Sequence, residues 1–294
     1  MSNCGLTGWR YSATFNHYEA GAPAVQTEKM KLYHIPGCPF SERVEILMGL
    51  KGLGRLIEDQ EIEISKPRPA WLLAKTGGAT ALPALDVPEG TLRESMVILR
   101  YLEDQFPERP VAHRRPYEHA IESWLIVIGA NLSSAGYKML MNRDPTQRIS
   151  LSAAVDEQYQ QIDAFLARHS PAGTFLFGDF GWAEMALTPL LKRLWFLEYY
   201  ENYVIPERLM RVRAWREACL SNPAAQTRSY QEIIKYYYDY SRGVGGGRLV
   251  EGRQVSSFAL EPHWSTRPMP PRDKWGPAAT DSELGLLAVA NPVE

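Results

Sequence analysis

Leu32-Tyr33-His34-Ile35-Pro36-Gly37-Cys38-Pro39-Phe40-Ser41-Glu42-Arg43 is the stretch whose reading decides the fold. A short β-type run stops at Pro36-Gly37, and a single cysteine opens a helix whose first turn carries Pro39, where a missing N–H costs nothing. First-turn amides of a helix are unpaired and carry partial positive charge, so they stabilise an anion there, and the placement predicts a thiolate nucleophile at Cys38. The competing reading is a small buried hydrophobe that happens to precede a helix. The order strand, turn, Cys-Pro, helix favours the reactive one. Ser41 stands where a Cys-x-x-Cys dithiol would carry its second sulfur, and Cys4 and Cys219 are far away in sequence. A mixed disulfide at Cys38 then needs a thiol from solution to resolve it, which points to glutathione.

Working outward, a strand over 30–35, a helix over about 39–53 and a strand around 56–64 form a β-α-β unit. A short helix from Ala70 to Thr76 ends at Gly77-Gly78. Pro83 to Val87 and Thr91 to Glu94 flank Pro88-Glu89-Gly90 as a hairpin. Ser95 is expected to cap the next helix, whose Met96, Ile98, Leu99 and Leu102 favour one face. That order is the order of a thioredoxin-like module. Phe106-Pro107-Glu108-Arg109-Pro110 interrupts it, and helical patterns follow over about 116–142, 146–169, 182–203, 207–221 and 223–242. The expected fold class is α/β plus all-α, a thioredoxin-like N-terminal domain with a helical C-terminal domain. The expected division is an extension over 1–28, the first domain over 29–107, a linker over 108–115, the helical domain over 116–243 and a tail over 244–294. The tail carries Gly245-Gly246-Gly247 and is expected to pack on the helical domain through Phe258, Trp264 and Trp275.

With 294 residues, 45% hydrophobic and 22% charged, the chain suffices for two modest domains. A formal charge of -2 gives no basic footprint for nucleic acid and no polybasic patch for a membrane. Three cysteines argue against a disulfide scaffold and fit a reducing compartment. Residues 1–28 lack the basic start and apolar run of a secretory signal, and no apolar run approaches the roughly 20 residues that span a bilayer. The expectation is a cytoplasmic protein with no nucleic-acid or membrane partner.

A thioredoxin-like half followed by a helical half resembles the glutathione transferase fold. Within it, Cys38-Pro39-Phe40-Ser41-Glu42-Arg43 is similar to the omega-class cysteine segment. Leu82-Pro83 stands where that family places a cis-proline, and Glu94-Ser95 where it places its γ-glutamyl site. Lys66-Pro67-Arg68-Pro69-Ala70-Trp71 is similar to the omega segment that supplies a cation to the glycine carboxylate. The resemblance implies Cys38 as nucleophile, no metal, and glutathione as co-substrate held by Pro39, Phe40, Lys66, Arg68, Leu82, Pro83, Glu94 and Ser95. The chemistry suits the ligand: a peptide with two carboxylates and one amine needs an amide edge at Leu82, an anion site at Ser95 and an acid at Glu94. By themselves, Glu94-Ser95 read as an ordinary cap, and Lys66 and Arg68 as solvated cations.

Phe180-Gly181-Trp182-Ala183-Glu184, Leu194-Trp195-Phe196-Leu197, Tyr236-Tyr237-Tyr238-Asp239-Tyr240 and the run from Arg267 to Gly276 resemble the omega-like glutathione lyases of bacterial lignin β-aryl ether catabolism. That resemblance implies cleavage of the thioether of a glutathionyl aromatic β-hydroxyketone by a second glutathione, giving free ketone and glutathione disulfide. It also implies a pocket of Tyr137, Tyr236, Tyr237 and Tyr240 for a small aromatic glutathione conjugate, and a homodimer. Tyr137 and Tyr240 are the two that match substrate-pocket tyrosines. The last three tyrosines share a face at helical spacing, which reads equally as a packed aromatic helix. One departure is Trp182-Ala183-Glu184, where the family has a Ser/Thr-x-x-Asp cap. The alternatives are a general omega-type thiol transferase or dehydroascorbate reductase, and a non-enzymatic binding or chloride-channel-like protein. Against a channel, Glu42, Arg43, Glu45 and Lys51 crowd the helix that would enter the bilayer.

Overall fold

A computed structural model describes residues 29–287; the expected extension over 1–28, with Cys4, and residues 288–294 lie outside the described residues. The first half runs β1 (Met30–His34), α1 (Pro39–Lys51), β2 (Ile57–Glu61), α2 (Ala70–Lys75), β3 (Ala84–Val87), β4 (Gly90–Arg93) and α3 (Ser95–Gln105). Its sheet has the order β2-β1-β3-β4. The parallel pair β1–β2, in register Met30 with Ile57, needs the crossover that α1 provides; β1–β3 and β3–β4 are antiparallel, with Leu85 opposite both Leu32 and Leu92. Successive strand residues point to opposite faces. Leu32 and Leu85 therefore meet Val44 and Leu47 of α1 and Ile98, Leu99 and Leu102 of α3, whereas Tyr33 and Ala84 meet Ile62, Leu72 and Leu82 on the other face.

The second half runs α4 (Pro116–Met141), α5 (Arg148–His169), α6 (Trp182–Arg193), α7 (Trp195–Tyr200), α8 (Met210–Ser221), α9 (Tyr230–Tyr236) and α10 (Tyr238–Ser241). Every residue of α6 is buried, because it packs on α4 and α8 and also on α1 of the first half. Gly129 and Gly136 permit that approach: a Cβ at either would stand 2.3 Å from Leu187 or Leu194. The α/β plus all-α fold class expected from the sequence is borne out.

Two expected helices are shorter than their patterns. The apolar run over 182–203 turns a corner at Leu194, which divides α6 from α7. The run over 223–242 begins as a single 3-10 turn, and α9 starts only after Ser229, whose Oγ accepts from the Glu232 N–H at 3.1 Å. Trp182-Ala183-Glu184 replaces the usual cap by other means. Glu184 accepts from the Gly181 N–H at 3.2 Å and Glu122 of α4 from the Trp182 N–H at 3.3 Å. Burial raises the Glu122 carboxyl to about 7.

Beyond Arg242 the chain has no α-helix or strand among the described residues, yet it lies on the body. Phe258 is buried, but Trp264 and Trp275 are only half-buried and sit beside Lys235 and Lys274. Buried charges anchor the tail. Lys274 Nζ meets Glu201 at 2.5 Å and donates to the Met139 and Leu140 carbonyls at 3.1 and 2.7 Å. Arg253 pairs with Asp239 at 3.3 Å and with Asp281, and Arg267 donates to the carbonyls of Pro262, Ser257 and Ala259. An irregular chain leaves carbonyls unpaired, and the five donors of a guanidinium satisfy several at once. Among the described residues no helix is long and apolar enough to cross a membrane.

Candidate active site

Cys38 is half-buried at the N-cap of α1 with extended backbone (φ -75, ψ 123), and no side chain caps that end. Its amide donates to the Ile35 carbonyl at 3.1 Å, and its carbonyl accepts from the Glu42 N–H at 3.1 Å. Ser41, at the second position of a dithiol motif, is buried and accepts the Ile35 N–H at 3.3 Å.

The turn before Cys38 is held from the other half of the molecule. Gly37 has φ 76, a conformation that favours glycine. Its carbonyl accepts from Arg193 Nε at 3.0 Å, Arg193 Nη2 at 2.6 Å and the Tyr237 hydroxyl at 3.1 Å. Arg193 Nη1 also meets Glu42, and Lys192 Nζ reaches the other carboxylate oxygen at 2.7 Å; all three side chains are fully buried. Burial opposes ionisation of Glu42, but Arg193 and Lys192 outweigh it and hold the carboxyl below its ordinary value. Sequence reasoning missed this group. Lys192 and Arg193 fall inside the helix expected over 182–203 with no local signal to set them apart, and only the packing of α6 on α1 gives them another meaning.

A cleft of about 300 Å³ opens beside this turn, lined by Phe40, Arg43, Leu82, Pro83, Glu94 and Ser95. The Leu82–Pro83 peptide is cis. Glu94, not Ser95, is the N-cap of α3, with φ 67, so the expected capping by Ser95 is corrected: Ser95 is the first helical residue and accepts from Arg43 Nη1 at 3.3 Å. Non-glycine residues at such φ are uncommon and cluster at ligand sites. Lys66 and Arg68 are not among the cleft's lining residues. Lys66 pairs with Glu63 at 2.9 Å, and Arg68 staples its own loop through the carbonyls of Thr80, Glu63 and Lys66.

The tyrosines gather on the other side of Gly37. They do not share one helical face, because α9 ends at Tyr236 and Tyr237 sits at the junction with α10. Tyr236 stacks on Phe258 at 5.4 Å and packs against Gly37; burial, helped by Glu232, raises its hydroxyl to about 12. The Tyr237 hydroxyl gives its proton to Gly37, so in its 2.7 Å contact with Tyr137 the donor is Tyr137. Tyr137 thus has its proton committed inside the protein, unlike the free donor expected of it. Tyr240 is the reverse case: its oxygen accepts from the Gly246 N–H at 3.1 Å, and among the described residues its proton has no acceptor. Burial raises the Tyr240 hydroxyl, the Gly246 N–H opposes that, and the nearby Cys38 sulfur adds to it. Gly247, at φ 73, brings the tail against Ile64 and Ser65, where a Cβ would stand 2.7 Å from their backbone.

Known proteins are similar to both halves of the chain. Residues 32–110 match the N-terminal domain of glutathione S-transferases, and residues 150–218 match their C-terminal domain. The chain is 27% identical over 163 residues to glutathione S-transferase L2 of Arabidopsis thaliana, covering 55% of this chain and 53% of that one, so it spans about half that relative's length. It is 22% identical over 199 residues to glutathione S-transferase omega-1 of Sus scrofa, covering 66% and 78%. The dehydroascorbate reductase of Chlamydomonas reinhardtii has the same fold, with a TM-score of 0.57 at 23% identity over 72% of this chain and 98% of that one. With a cysteine at the head of α1, a cis-proline edge and matches to both domains, the chain belongs to the glutathione S-transferase superfamily.

Proposed function

We propose that the protein is a glutathione-dependent lyase that cleaves the thioether of a glutathionyl aromatic β-hydroxyketone. The Cys38 thiolate attacks the thioether sulfur; a sulfur–sulfur bond forms, the carbon–sulfur bond breaks, and its electron pair leaves on carbon as an enolate that takes a proton to give the ketone. A second glutathione thiolate then attacks the glutathionyl sulfur of the mixed disulfide, which releases glutathione disulfide and the Cys38 thiolate. Carbon gains the two electrons that the two sulfurs lose.

The observation that carries this reading is the free hydroxyl proton of Tyr240, on an aromatic wall within electrostatic reach of Cys38. A donor left without an acceptor among the described residues, near the sulfur, suits the enolate oxygen of a carbonyl substrate; disulfide exchange has no use for it. The lack of a second sulfur at Ser41 supports external resolution by glutathione. A general omega-type thiol transferase or dehydroascorbate reductase, the second reading, uses the same Cys38 and cleft but leaves Tyr240 without a task. The test is to mix the protein with glutathione and a glutathionyl aryl ketone. Stoichiometric release of ketone and glutathione disulfide is expected; turnover of a simple disulfide with none of the thioether rejects the lyase.

A further inference from the structure

The tail crosses from one half of the molecule to the other beside Cys38, and it crosses on glycine. Residues 243–252 are anchored at both ends. Before them, Arg242 donates to the carbonyls of Lys274 and Gly276, each at 2.8 Å; after them, Arg253 is buried in its pairs with Asp239 and Asp281. The segment leaves the helical half against Tyr240, where a Cβ on Gly245 would stand 2.8 Å from the ring and the Gly246 N–H donates to the phenol oxygen at 3.1 Å. It meets the first half at once, since a Cβ on Gly247 would stand 2.7 Å from the backbone of Ile64 and Ser65. Among the described residues no hydrogen bond or ion pair ties 243–252 to the first half, so the crossing is backbone laid on backbone. A side chain at Gly245 or Gly247 would wedge it away from one half or the other.

Cys38 lies between the two ends of that crossing. It packs with Ile64 on the apolar cluster of Ile62, Leu72 and Leu82, and its sulfur is near enough to Tyr240 to raise the phenol. None of residues 243–252 lines the cleft of Phe40, Leu82 and Ser95, so the crossing bounds a different approach to the sulfur. We propose that the glycine crossing at 245–247 is a specificity-determining element, which bounds the space over Cys38 on the Tyr240 side and so limits the bulk of the sulfur substituent that reaches the cysteine. This rests on Cys38 as the reacting residue, and adds that backbone of the tail, not a pocket side chain, sets the size limit.

The experiment follows alkylation of Cys38 in the full chain, by mass spectrometry of its peptide, with two reagents that share a reacting group and differ in bulk: iodoacetamide and N-(1-pyrenyl)iodoacetamide. In the wild type the crossing retards the pyrenyl reagent. Gly247→Ala forces the crossing off Ile64 and Ser65, so the ratio of pyrenyl to small-reagent rates rises about 5- to 30-fold, the scale on which one strained contact shifts a local opening equilibrium. Gly252→Ala is the control. Its φ of 80, against 73 at Gly247, gives the substitution the same backbone strain, but a Cβ there meets nothing within 4 Å, so the ratio stays within about twofold of wild type. An unmoved ratio in a folded Gly247→Ala overturns the proposal, as does an equal rise in Gly252→Ala. If Gly247→Ala does not fold, Gly245→Ala decides: it displaces the crossing from Tyr240 at the other end, and the same rise upholds the proposal while an unmoved ratio overturns it. Should iodoacetamide modify Cys38 in none of the proteins, the nucleophile reading falls and the proposal with it, a result distinct from modification with an unmoved ratio.

Discussion

Replacing Tyr240 with Phe isolates the chemistry from the architecture. The ring stays, with its contacts to Tyr137, Tyr237 and Phe258, and only the hydroxyl is removed. Its one partner among the described residues, the Gly246 N–H, lies at an exposed position where water replaces the lost acceptor, so stability changes by less than about 0.5 kcal/mol. A lost donor to a developing oxyanion costs about 2.7–4 kcal/mol, roughly 10²- to 10³-fold in rate. Release of ketone from a glutathionyl aryl ketone should fall by that factor, while reduction of bis(2-hydroxyethyl) disulfide should hold within about twofold. Tyr137→Phe is the paired control: its proton goes to Tyr237, which fixes Gly37, so its effect falls on both substrates alike. Equal losses on both substrates in Tyr240→Phe, or a ketone-specific loss confined to Tyr137→Phe, would refute the donor assignment.

Cys38→Ser should abolish turnover of both substrates with the circular dichroism unchanged; residual thioether cleavage would move the nucleophile elsewhere. Glu42→Gln leaves Arg193 and Lys192 buried around a neutral group, and should cost about 3–5 kcal/mol in guanidinium denaturation, a loss below 1 kcal/mol counting against a stabilising cluster. Glu122 carries a pH signature. Its folded carboxyl keeps a proton to about 7, whereas the unfolded one loses it near 4.5, so the folded state binds more protons between those values and stability falls as pH rises through them. Relative to Glu122→Gln, the wild type should lose about 2–3 kcal/mol between pH 5 and 7.5, and a flat difference rejects the assignment.

The first half was legible because its signals are local. Pro36-Gly37, Cys38-Pro39 and the Pro88-Glu89-Gly90 turn fix strand and helix ends through backbone preferences that need no distant partner. The corner at Leu194 was not legible, since apolar residues continue across it and periodicity alone carries no break. The start of α9 had a usable signal in Ser229-Tyr230-Gln231-Glu232, a capping box that the longer apolar run obscured. Arg43 and Arg193 could not have been separated from surface arginines by any local pattern. What distinguishes them is burial between the halves, 143 and 156 residues from the carbonyls of Ala186 and Gly37 that they respectively hold.

That last separation bears on how the protein is made. During synthesis at about 5–20 residues per second, Arg193 follows Gly37 by roughly 8–30 s. In that interval the nascent first half has its cysteine but none of the three donors that fix the turn beside it, and Glu42 has neither counter-ion. The turn beside Cys38 thus closes only after both α6 and the junction of α9 with α10 have emerged, and a chain that stops short of them carries Cys38 in an unlocked turn.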